Sequence, residues 1–357
     1  MANNKKLCYI LPFFDLETDT HYFYLYDFIK RVADDFELTL LIEKSNSDIK
    51  FFDNVKNIKV QKFNSGLWRI LENFWLILFI RLGGTRDFYI HYSQISAISA
   101  SLIARLTGGR TFYWNCGMMW LFGEKRLLGL ILKMVTYLVT GVQALVDGYS
   151  QHYQITKDKI KIMPNWVDLH RFEDIQNDEL LSKYALEPGI SYVLFVHRLA
   201  KRKGVHYIAS IAKQFAGQPN IKFLIVGDGP YRQELAQDIK DLNNVILLGK
   251  IANKDIPGLM KISKLFFMPS EEEGFPRVLL EAMASGLPYV AFDIGGVREI
   301  STPEQQLYIV DGPANMAVAI GDILKDQSVY DKLREVNLVQ VRQFDIMVVK
   351  NNFKDLF

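Results

Sequence analysis

The chain has 357 residues, of which 49% are hydrophobic and 23% are charged, and its formal net charge at pH 7 is +2. This composition excludes a disordered chain, and the length exceeds what one ordinary hydrophobic core can hold, so we expect two domains. The 2 cysteines, Cys8 and Cys116, exclude a disulfide framework and a metal-ligand spacing and favour a reducing cytosol. The N-terminal residues lack the long apolar core of a signal peptide, and no stretch predicts a transmembrane helix.

Short apolar runs alternate with helical patterns along the chain, which predicts an α/β fold with parallel sheets covered on both faces. In chain order, the first half contains predicted strands at 7–11, 38–42, 58–60, 88–91, 110–114 and 144–146 and predicted helices at 22–33, 68–82, 96–106, 126–140 and 151–153. The second half contains predicted strands at 192–196, 222–226, 245–248, 265–268 and 289–292 and predicted helices at 205–215 and 231–242. The polar stretch 169–183 lacks periodicity and marks the junction.

Positive charge is concentrated in the first half, where residues 56–161 contain 14 Lys and Arg against 5 Asp and Glu. Two segments of this part, 67–82 and 118–137, combine basic residues with many large apolar ones. Such helices can lie in a membrane interface, with aromatic rings buried shallowly and cations on anionic headgroups. They can equally cover a parallel sheet, as helices of any α/β domain do. Trp120 beside Phe122, just ahead of two cations, favours membrane contact.

Glycines and charged residues follow several predicted strands directly. His197 and Arg198 follow one strand, Gly227 and Gly229 the next, Glu273 a third, and two further glycines follow the strand at 289–292. Ligands of open parallel sheets bind beyond the carboxyl ends of the strands. We therefore expect these residues to converge on one crevice.

The segment 269–286 carries the most specific signal. An apolar strand is followed by an acidic turn and then by a helix, with Pro276 expected at the first helical position. A helix N-terminus attracts phosphate, while the carboxylates of the turn suit sugar hydroxyls, so a sugar phosphate fits better than a bare anion. Glu273 and Glu281 lie about two helical turns apart, so both can face one side of a ligand.

This segment resembles the Glu-x7-Glu signature of the family 4 glycosyltransferases, and three further blocks resemble the same family. They are His197-Arg-Leu-Ala-Lys-Arg-Lys-Gly204, with His197 where the family usually has glycine, Ile225-Val-Gly-Asp-Gly-Pro230, and Met163-Pro-Asn-Trp-Val-Asp168. The resemblance implies the GT-B fold, in which two doubly wound Rossmann-like domains face a central cleft. It implies an acceptor-side domain at 1–170, a nucleotide-sugar-binding domain at 171–339, and a C-terminal helix near 340–357 that packs back on the first domain.

The resemblance also implies roles for individual residues. Arg198 and Lys203 would hold the diphosphate of the donor, Glu273 would contact the transferred sugar, and Glu281 would bind the ribose. These assignments make Glu273, Arg198 and Lys203 the catalytic candidates. The other expected donor-binding residues are Gly274, Phe275, Pro276, Arg277, Val278, Gly227, Gly229 and Gly249.

The implied reaction is transfer of a sugar, with retention, from a nucleotide-diphosphate donor to a lipid-linked or polysaccharide-precursor hydroxyl. We expect no metal and no other cofactor, because cationic side chains and helix dipoles can stabilise the leaving diphosphate. We expect no nucleic-acid partner, and a cytoplasmic protein at the inner face of the membrane.

The first half departs from the family pattern in two places. The loop after the first strand has no glycine, and the histidine that many members carry near the sugar is absent. Asn115 stands at roughly that position, and His21 and His91 are alternative polar groups for the acceptor or sugar side. A lone histidine is more often structural than functional.

Three other functions stay open at this point. A nucleotide-sugar epimerase or phosphorylase lacks a matching motif, and a dinucleotide oxidoreductase is disfavoured because the third glycine of its fingerprint is missing after Gly229. A non-catalytic GT-B protein that binds nucleotide sugars agrees with the missing histidine.

Overall fold

A computed structural model describes residues 5–16, 23–122, 125–173 and 178–357 of the chain. The chain forms two compact units, of which unit 1 comprises Met1–Met163 and Lys350–Phe357, and unit 2 comprises Pro164–Val349. The sequence had suggested a boundary at 170 and a returning segment near 340–357.

Unit 1 contains a parallel sheet of seven described strands in the order β3-β2-β1-β4-β5-β6-β7. Its strands are β1 (Lys6–Leu11), β2 (Glu37–Ile42), β3 (Asn57–Val60), β4 (Asp87–His91), β5 (Arg110–Trp114), β6 (Tyr137–Thr140) and β7 (Ile160–Ile162). Its helices are α1 (Phe23–Ala33), α2 (Gly66–Leu82), α3 (Gln94–Thr107), α4 (Lys125–Met134) and α5 (Gln143–Tyr153). Strands β1, β4 and β5 are almost entirely buried, which explains their continuous apolar runs.

Unit 2 contains a parallel sheet of six described strands in the order β10-β9-β8-β11-β12-β13. Its strands are β8 (Ser191–Val196), β9 (Ile221–Val226), β10 (Val245–Gly249), β11 (Leu265–Met268), β12 (Tyr289–Phe292) and β13 (Ile309–Val310). Its helices are α6 (Asp178–Lys183), α7 (Ile208–Lys213), α8 (Arg232–Asp238), α9 (Ile256–Ile262), α10 (Arg277–Ala284), α11 (Val297–Ile300), α12 (Pro303–Gln306), α13 (Gly312–Lys325), α14 (Gln327–Gln340) and the first part of α15 (Ile346–Lys354). Each sheet reverses its strand order once, as doubly wound folds do.

The C-terminal residues pack in the core of unit 1. Phe353 is fully buried and meets Tyr89 edge to face at 4.8 Å, and Phe357 lies 4.6 Å from the ring of Phe112. Lys350 and Lys354 both pair with the carboxylate of Asp35, at 2.7 and 2.9 Å. Aromatic packing and two ion pairs thus fix the end of the chain to unit 1.

The sequence prediction for residues 126–153 was wrong in part. A helix at 126–140 and a strand at 144–146 were expected, but α4 ends earlier, β6 occupies Tyr137–Thr140, and Gln143–Tyr153 is helical. The run Tyr-Leu-Val-Thr is rich in aromatic and β-branched residues and pairs with β5. The short apolar run after it belongs to the buried face of a helix, at positions 145, 146, 149 and 153.

Candidate functional site

β8 and β11 are neighbours at the point where the strand order of unit 2 reverses. At such a switch point successive connections leave toward opposite faces of the sheet, and a crevice opens beyond the carboxyl ends of the strands. His197 follows β8, and the acidic turn 270–273 follows β11 and Pro269. The topology therefore brings two of the sequence motifs to one edge of the sheet.

Glu273 is the buried carboxylate at the centre of this site. Its Oε1 atom accepts hydrogen bonds from Nε2 of His197 at 3.0 Å and from Nζ of Lys203 at 2.7 Å. Only 9% of the Glu273 side chain and 6% of the Lys203 side chain are exposed. The Lys203 ammonium also donates to the backbone oxygen of Glu272 at 3.0 Å. One buried carboxylate is thus balanced by one buried ammonium, as the cost of burying charge requires.

The surroundings of Glu273 keep it ionised. Burial alone would raise the pKa of Glu273, but His197 and Lys203 outweigh burial and lower this pKa to about 2. For His197, burial lowers the pKa of the imidazole, against the attraction of the Glu273 carboxylate. At neutral pH the site therefore holds a carboxylate on Glu273 and a neutral imidazole on His197.

Two glycines allow the neighbouring loops to approach this centre. Gly227 has φ +137°, and a Cβ there would lie 1.9 Å from the backbone oxygen of His197. Gly295 has φ +53°, and a Cβ there would lie 1.8 Å from the backbone oxygen of Glu273. Any side chain at either position would force the loops apart, so both glycines are needed for the close packing.

Lys203 and Arg198 differ in how they reach the site. Lys203 ends a short 3-10 turn, Lys201–Lys203, that points its side chain into the interior. The Arg198 side chain is exposed, while its backbone N–H donates to Nδ1 of His197 at 2.8 Å. Arg202, which lies between them, pairs with Glu272 at 3.3 Å.

Helix α10 begins one residue later than the sequence predicted. Pro276 is its N-cap, with ψ 103°, so the first helical residue is Arg277. The prediction of Pro276 inside the helix was therefore wrong, because its extended backbone lies outside the helical region. No side chain caps this helix start. Arg277 pairs with Glu281, one helical turn further along, at 3.7 Å. Its Nε also donates to the backbone oxygen of Trp166 at 3.4 Å.

The remaining predicted donor-binding residues lie in the loops around this centre and at the start of α10. The backbone oxygen of Gly274 accepts the N–H of Gly296 at 3.0 Å, and that of Phe275 accepts Nδ2 of Asn165 at 3.0 Å. The N–H of Gly227 donates to the oxygen of Gly249 at 2.8 Å. The other two are Gly229, in the loop after β9, and Val278, on the first turn of α10.

Sequence reasoning placed His197 and the glycines after β12 at this crevice, but it did not identify their contacts with Glu273, and it did not identify Asn165 as a residue that holds the site together. The paired glycines after β12 carried a usable signal, because glycines after a strand often mark close backbone approach. Nothing in the sequence indicated that Asn165 bonds Phe275, 110 residues away.

In unit 1, the predicted acceptor-side residues have local partners. His91 is fully buried, stacks on Trp114 at 4.2 Å and bonds the hydroxyl of Tyr9 through Nδ1 at 2.9 Å. Asn115 accepts the N–H of Gly117 through Oδ1 at 2.9 Å. His21 lies outside the described residues. A site role for these three residues stays a prediction.

Helix α2 exposes many of its large apolar residues. Its buried residues are Asn73, Ile77 and Ile80, and the Asn73 amide donates to Ser96 at 2.9 Å. Seven large apolar side chains of the helix are 39% to 69% exposed: Leu67, Trp68, Ile70, Leu71, Trp75, Phe79 and Leu82. We call these seven the α2 apolar face. Surfaces that expose several large apolar side chains together often take part in protein or membrane contacts.

Trp120 does not extend this surface. Its ring stacks on His152 at 5.0 Å and meets Tyr149 edge to face at 5.3 Å. Gly148 leaves room for it, because a Cβ there would lie 2.3 Å from the indole. Trp120 thus packs on α5, and membrane contact of segment 118–137 stays a prediction. Residues 123 and 124 of that segment lie outside the described residues.

Within the described ranges, 5–16, 23–122, 125–173 and 178–357, none of the helices combines the length and the apolar character that a membrane crossing requires. In the same part of the chain, no group of three or more His, Cys, Asp or Glu residues could hold a metal ion.

Known proteins resemble this chain in sequence. The family model described as glycosyl transferases group 1 matches residues 176–337. An uncharacterised glycosyltransferase of Methanocaldococcus jannaschii is 33% identical over 43% of this chain and 39% of its own length. N-acetyl-alpha-D-glucosaminyl L-malate synthase of Bacillus anthracis is 26% identical over 69% of this chain and 67% of its own length. The UDP-Gal:alpha-D-GlcNAc-diphosphoundecaprenol alpha-1,3-galactosyltransferase of Escherichia coli is 36% identical over 39% of this chain and 38% of its own length.

The first and third of these matches span about two fifths of the relatives' lengths. Among solved structures, Anabaena HepE in complex with UDP has a TM-score of 0.80 at 19% identity and covers 99% of both chains. Similarity at this identity shows the fold. The chain therefore has the GT-B fold of two doubly wound α/β domains, and residues 176–337 of its second half match the glycosyl transferases group 1 family.

Proposed function

We propose that this protein is a retaining glycosyltransferase of the hexosyltransferase type. It moves a sugar from a nucleotide-diphosphate donor to a hydroxyl group of a lipid-linked or polysaccharide-precursor acceptor. The observation that carries the proposal is the buried cluster of Glu273, Lys203 and His197 at the switch point of unit 2. A buried ion pair adds little net stability compared with apolar packing of the same volume, so its presence points to a role beyond stability, and functional sites are where such groups concentrate.

The cluster keeps hydrogen-bonding capacity for a donor. Among the described residues, Oε2 of Glu273 has no hydrogen-bond partner, so it can accept from a sugar hydroxyl. Lys203 has three N–H groups and uses two of them, on Glu273 and on the Glu272 backbone. Three groups can donate hydrogen bonds to the diphosphate of the donor: the third N–H of Lys203, the exposed guanidinium of Arg198 and the uncapped N–H groups at the start of α10.

Glu281 suits the ribose of the nucleotide. It lies on the second turn of α10, a helix that begins four residues after Glu273, and its pairing with Arg277 holds the carboxylate in place. A carboxylate that accepts from vicinal ribose hydroxyls needs this kind of fixed position.

Glu273 is better suited to hold the sugar than to attack it. Two donors hold Oε1, and the low pKa of Glu273 makes it a weak base and a weak nucleophile. Front-face attack fits this state. The bond from the anomeric carbon to the diphosphate breaks, the acceptor oxygen bonds that carbon on the same face, and the acceptor proton passes to the departing phosphate. Fixed cations stabilise the charge of that phosphate, so we expect no metal requirement.

The names of similar proteins support the donor and acceptor classes. HepE was solved with UDP and with UDP-glucose, and the relative from Escherichia coli acts on a diphosphoundecaprenol acceptor by its name. The α2 apolar face supports a protein at the membrane surface, because two tryptophans among aliphatic side chains suit the headgroup region. We infer a peripheral position at the cytosolic face.

A thermal-shift panel of UDP, GDP, ADP and their sugars, with and without Mg²⁺, tests the donor site. We expect one nucleotide to raise the melting temperature, since a ligand at about 100 times its Kd adds about 2.7 kcal/mol to stability. Arg198→Ala and Glu281→Ala should each weaken that ligand by about tenfold, the loss of one charged hydrogen bond.

Arg342→Ala and Glu335→Ala, exposed positions outside the site, are the matched controls and should bind as the parent does. The proposal fails if no member of the panel shifts the melting temperature at millimolar concentration, or if the control variants lose as much as the site variants.

A further inference from the structure

His197 is the one member of the buried cluster that the sequence resemblance does not account for. Its side chain is 24% exposed and stands between the loop after β8 and the turn after β11. The backbone N–H of His197 donates to the oxygen of Val226 at 3.1 Å, and its own oxygen touches the turn at Gly227. The backbone of His197 is thus fixed by its neighbours independently of the contacts that its side chain makes.

The two contacts of the imidazole determine its tautomer. The backbone N–H of Arg198 can only donate, so Nδ1 of His197 must be the acceptor at 2.8 Å. An ionised Glu273 can only accept, so Nε2 must carry the hydrogen in the 3.0 Å contact. One neutral tautomer satisfies both neighbours. An imidazolium would place an N–H against the N–H of Arg198 and break that bond.

This tautomer fixes the direction of the Glu273 carboxylate. With His197 and Lys203 both on Oε1, the carboxylate loses its freedom to rotate, and Oε2 is the oxygen left for a ligand. Lys203 alone would not achieve this, because an ammonium is a point charge that a carboxylate can approach in many orientations. The planar imidazole of His197 is held at Nδ1 by a backbone N–H, so its Nε2–H points in one fixed direction toward Glu273.

We propose that His197 is a positioning residue that, as the neutral Nε2–H tautomer, orients Glu273 toward the sugar of the donor. The inference rests on the proposed function. The charged groups that act on His197 are Glu273 and Lys203 inside the cluster and Arg202 from the 3-10 turn. Burial lowers the pKa of His197, so the neutral form persists to a pH below the ordinary value of 6.5.

The test combines a spectroscopic measurement with kinetics. ¹⁵N NMR of the imidazoles, with His197→Ala to assign the signal, should show the neutral Nε2–H form at neutral pH and protonation below pH 6.5. This readout does not depend on turnover. The positioning role is overturned if the signal shows the Nδ1–H tautomer or an imidazolium at neutral pH.

The kinetic arm compares His197→Ala, His197→Gln and the exposed control His170→Ala. His197→Ala should lower kcat about tenfold or more with a smaller change in the donor KM, because orientation is lost and the nucleotide contacts stay. The activity of the parent should fall at acidic pH as His197 is protonated. His197→Gln keeps an N–H that can reach Glu273 and does not titrate, so it should recover most of kcat without this fall. His170→Ala should match the parent.

Equal kcat in His197→Ala and the parent, or a glutamine variant as slow as the alanine variant, overturns the inference. Absence of turnover in the parent instead rejects the proposed function, and the NMR result then still decides the tautomer. If His197→Ala fails to fold, the glutamine variant and its pH profile decide.

Discussion

At the residue scale, Glu273 makes the stability of unit 2 depend on pH. Its pKa falls from 4.5 to about 2 on folding, so its contribution is present above pH 4.5 and is lost as pH falls toward 2. Glu273→Gln should therefore be less stable than the parent at neutral pH, and this difference should shrink below pH 4.5.

Urea unfolding of both proteins, followed by circular dichroism at neutral pH and at about pH 3.5, measures that difference. Glu335→Gln, at an exposed position on α14, is the control and should follow the parent at both pH values. A difference between Glu273→Gln and the parent that stays constant with pH would contradict the ion pairing described for Glu273.

Residue types and the family resemblance together predicted part of this cluster. Glu273 and Lys203 stood in recognisable motifs after predicted strands, and the structure brings the two side chains to 2.7 Å. The role of His197 could not be predicted, because its contact with Glu273 joins residues 76 positions apart through the pairing of β8 with β11. A sequence motif shows which side chains a loop carries. Which residue each of them meets across the crevice depends on which strands pair in the sheet.

At the scale of elements, α2 is apolar on both sides. Its inner side carries Asn73, Ile77 and Ile80, and its outer side carries the α2 apolar face. We expect anionic vesicles of phosphatidylglycerol to bind the protein more tightly than vesicles of phosphatidylcholine, because the excess positive charge of residues 56–161 adds to apolar insertion. Trp68→Ser with Trp75→Ser should lower vesicle binding about tenfold or more, the factor that 1.4 kcal/mol of lost burial produces.

Leu307→Ser with Val318→Ser removes equally exposed apolar side chains from unit 2 and should leave vesicle binding unchanged. Cosedimentation with vesicles is the measurement. A parent protein that stays in the supernatant with both lipids would contradict membrane contact. A dimer that the tryptophan substitutions dissociate would instead assign the face to a second copy of the chain.

Elements with a strong pattern were predictable, and those that depend on neighbours were not. The runs at 265–268 and 289–292 are strands with the predicted bounds, since four consecutive buried apolar residues between turns fit a parallel strand. The run at 144–146 is also a short apolar run in the sequence, but it lies on a helix. Its helical face is apparent only when Tyr149 and Tyr153 are known to be buried beside it.

At the scale of the whole molecule, the fold followed from the alternation of strands and helices, and the proposed activity depends on one crevice. Strands alternating with helices predicted two doubly wound domains, which the strand orders confirm. The acceptor side was less predictable, because the first half lacks the glycine loop and the histidine of the family pattern. There the structure gives His91 and Asn115 local partners, and neither points to a particular acceptor.

Release of nucleotide diphosphate from the nucleotide sugar that binds is the most direct test of the central claim. The parent should release it, faster when membrane lipid extract supplies an acceptor, and Glu273→Gln should lower the rate by about a hundredfold or more while the nucleotide still binds. Tight binding of the nucleotide sugar by the parent with no release, with or without acceptor, would contradict the account and identify a GT-B protein that binds nucleotide sugars without transferring them.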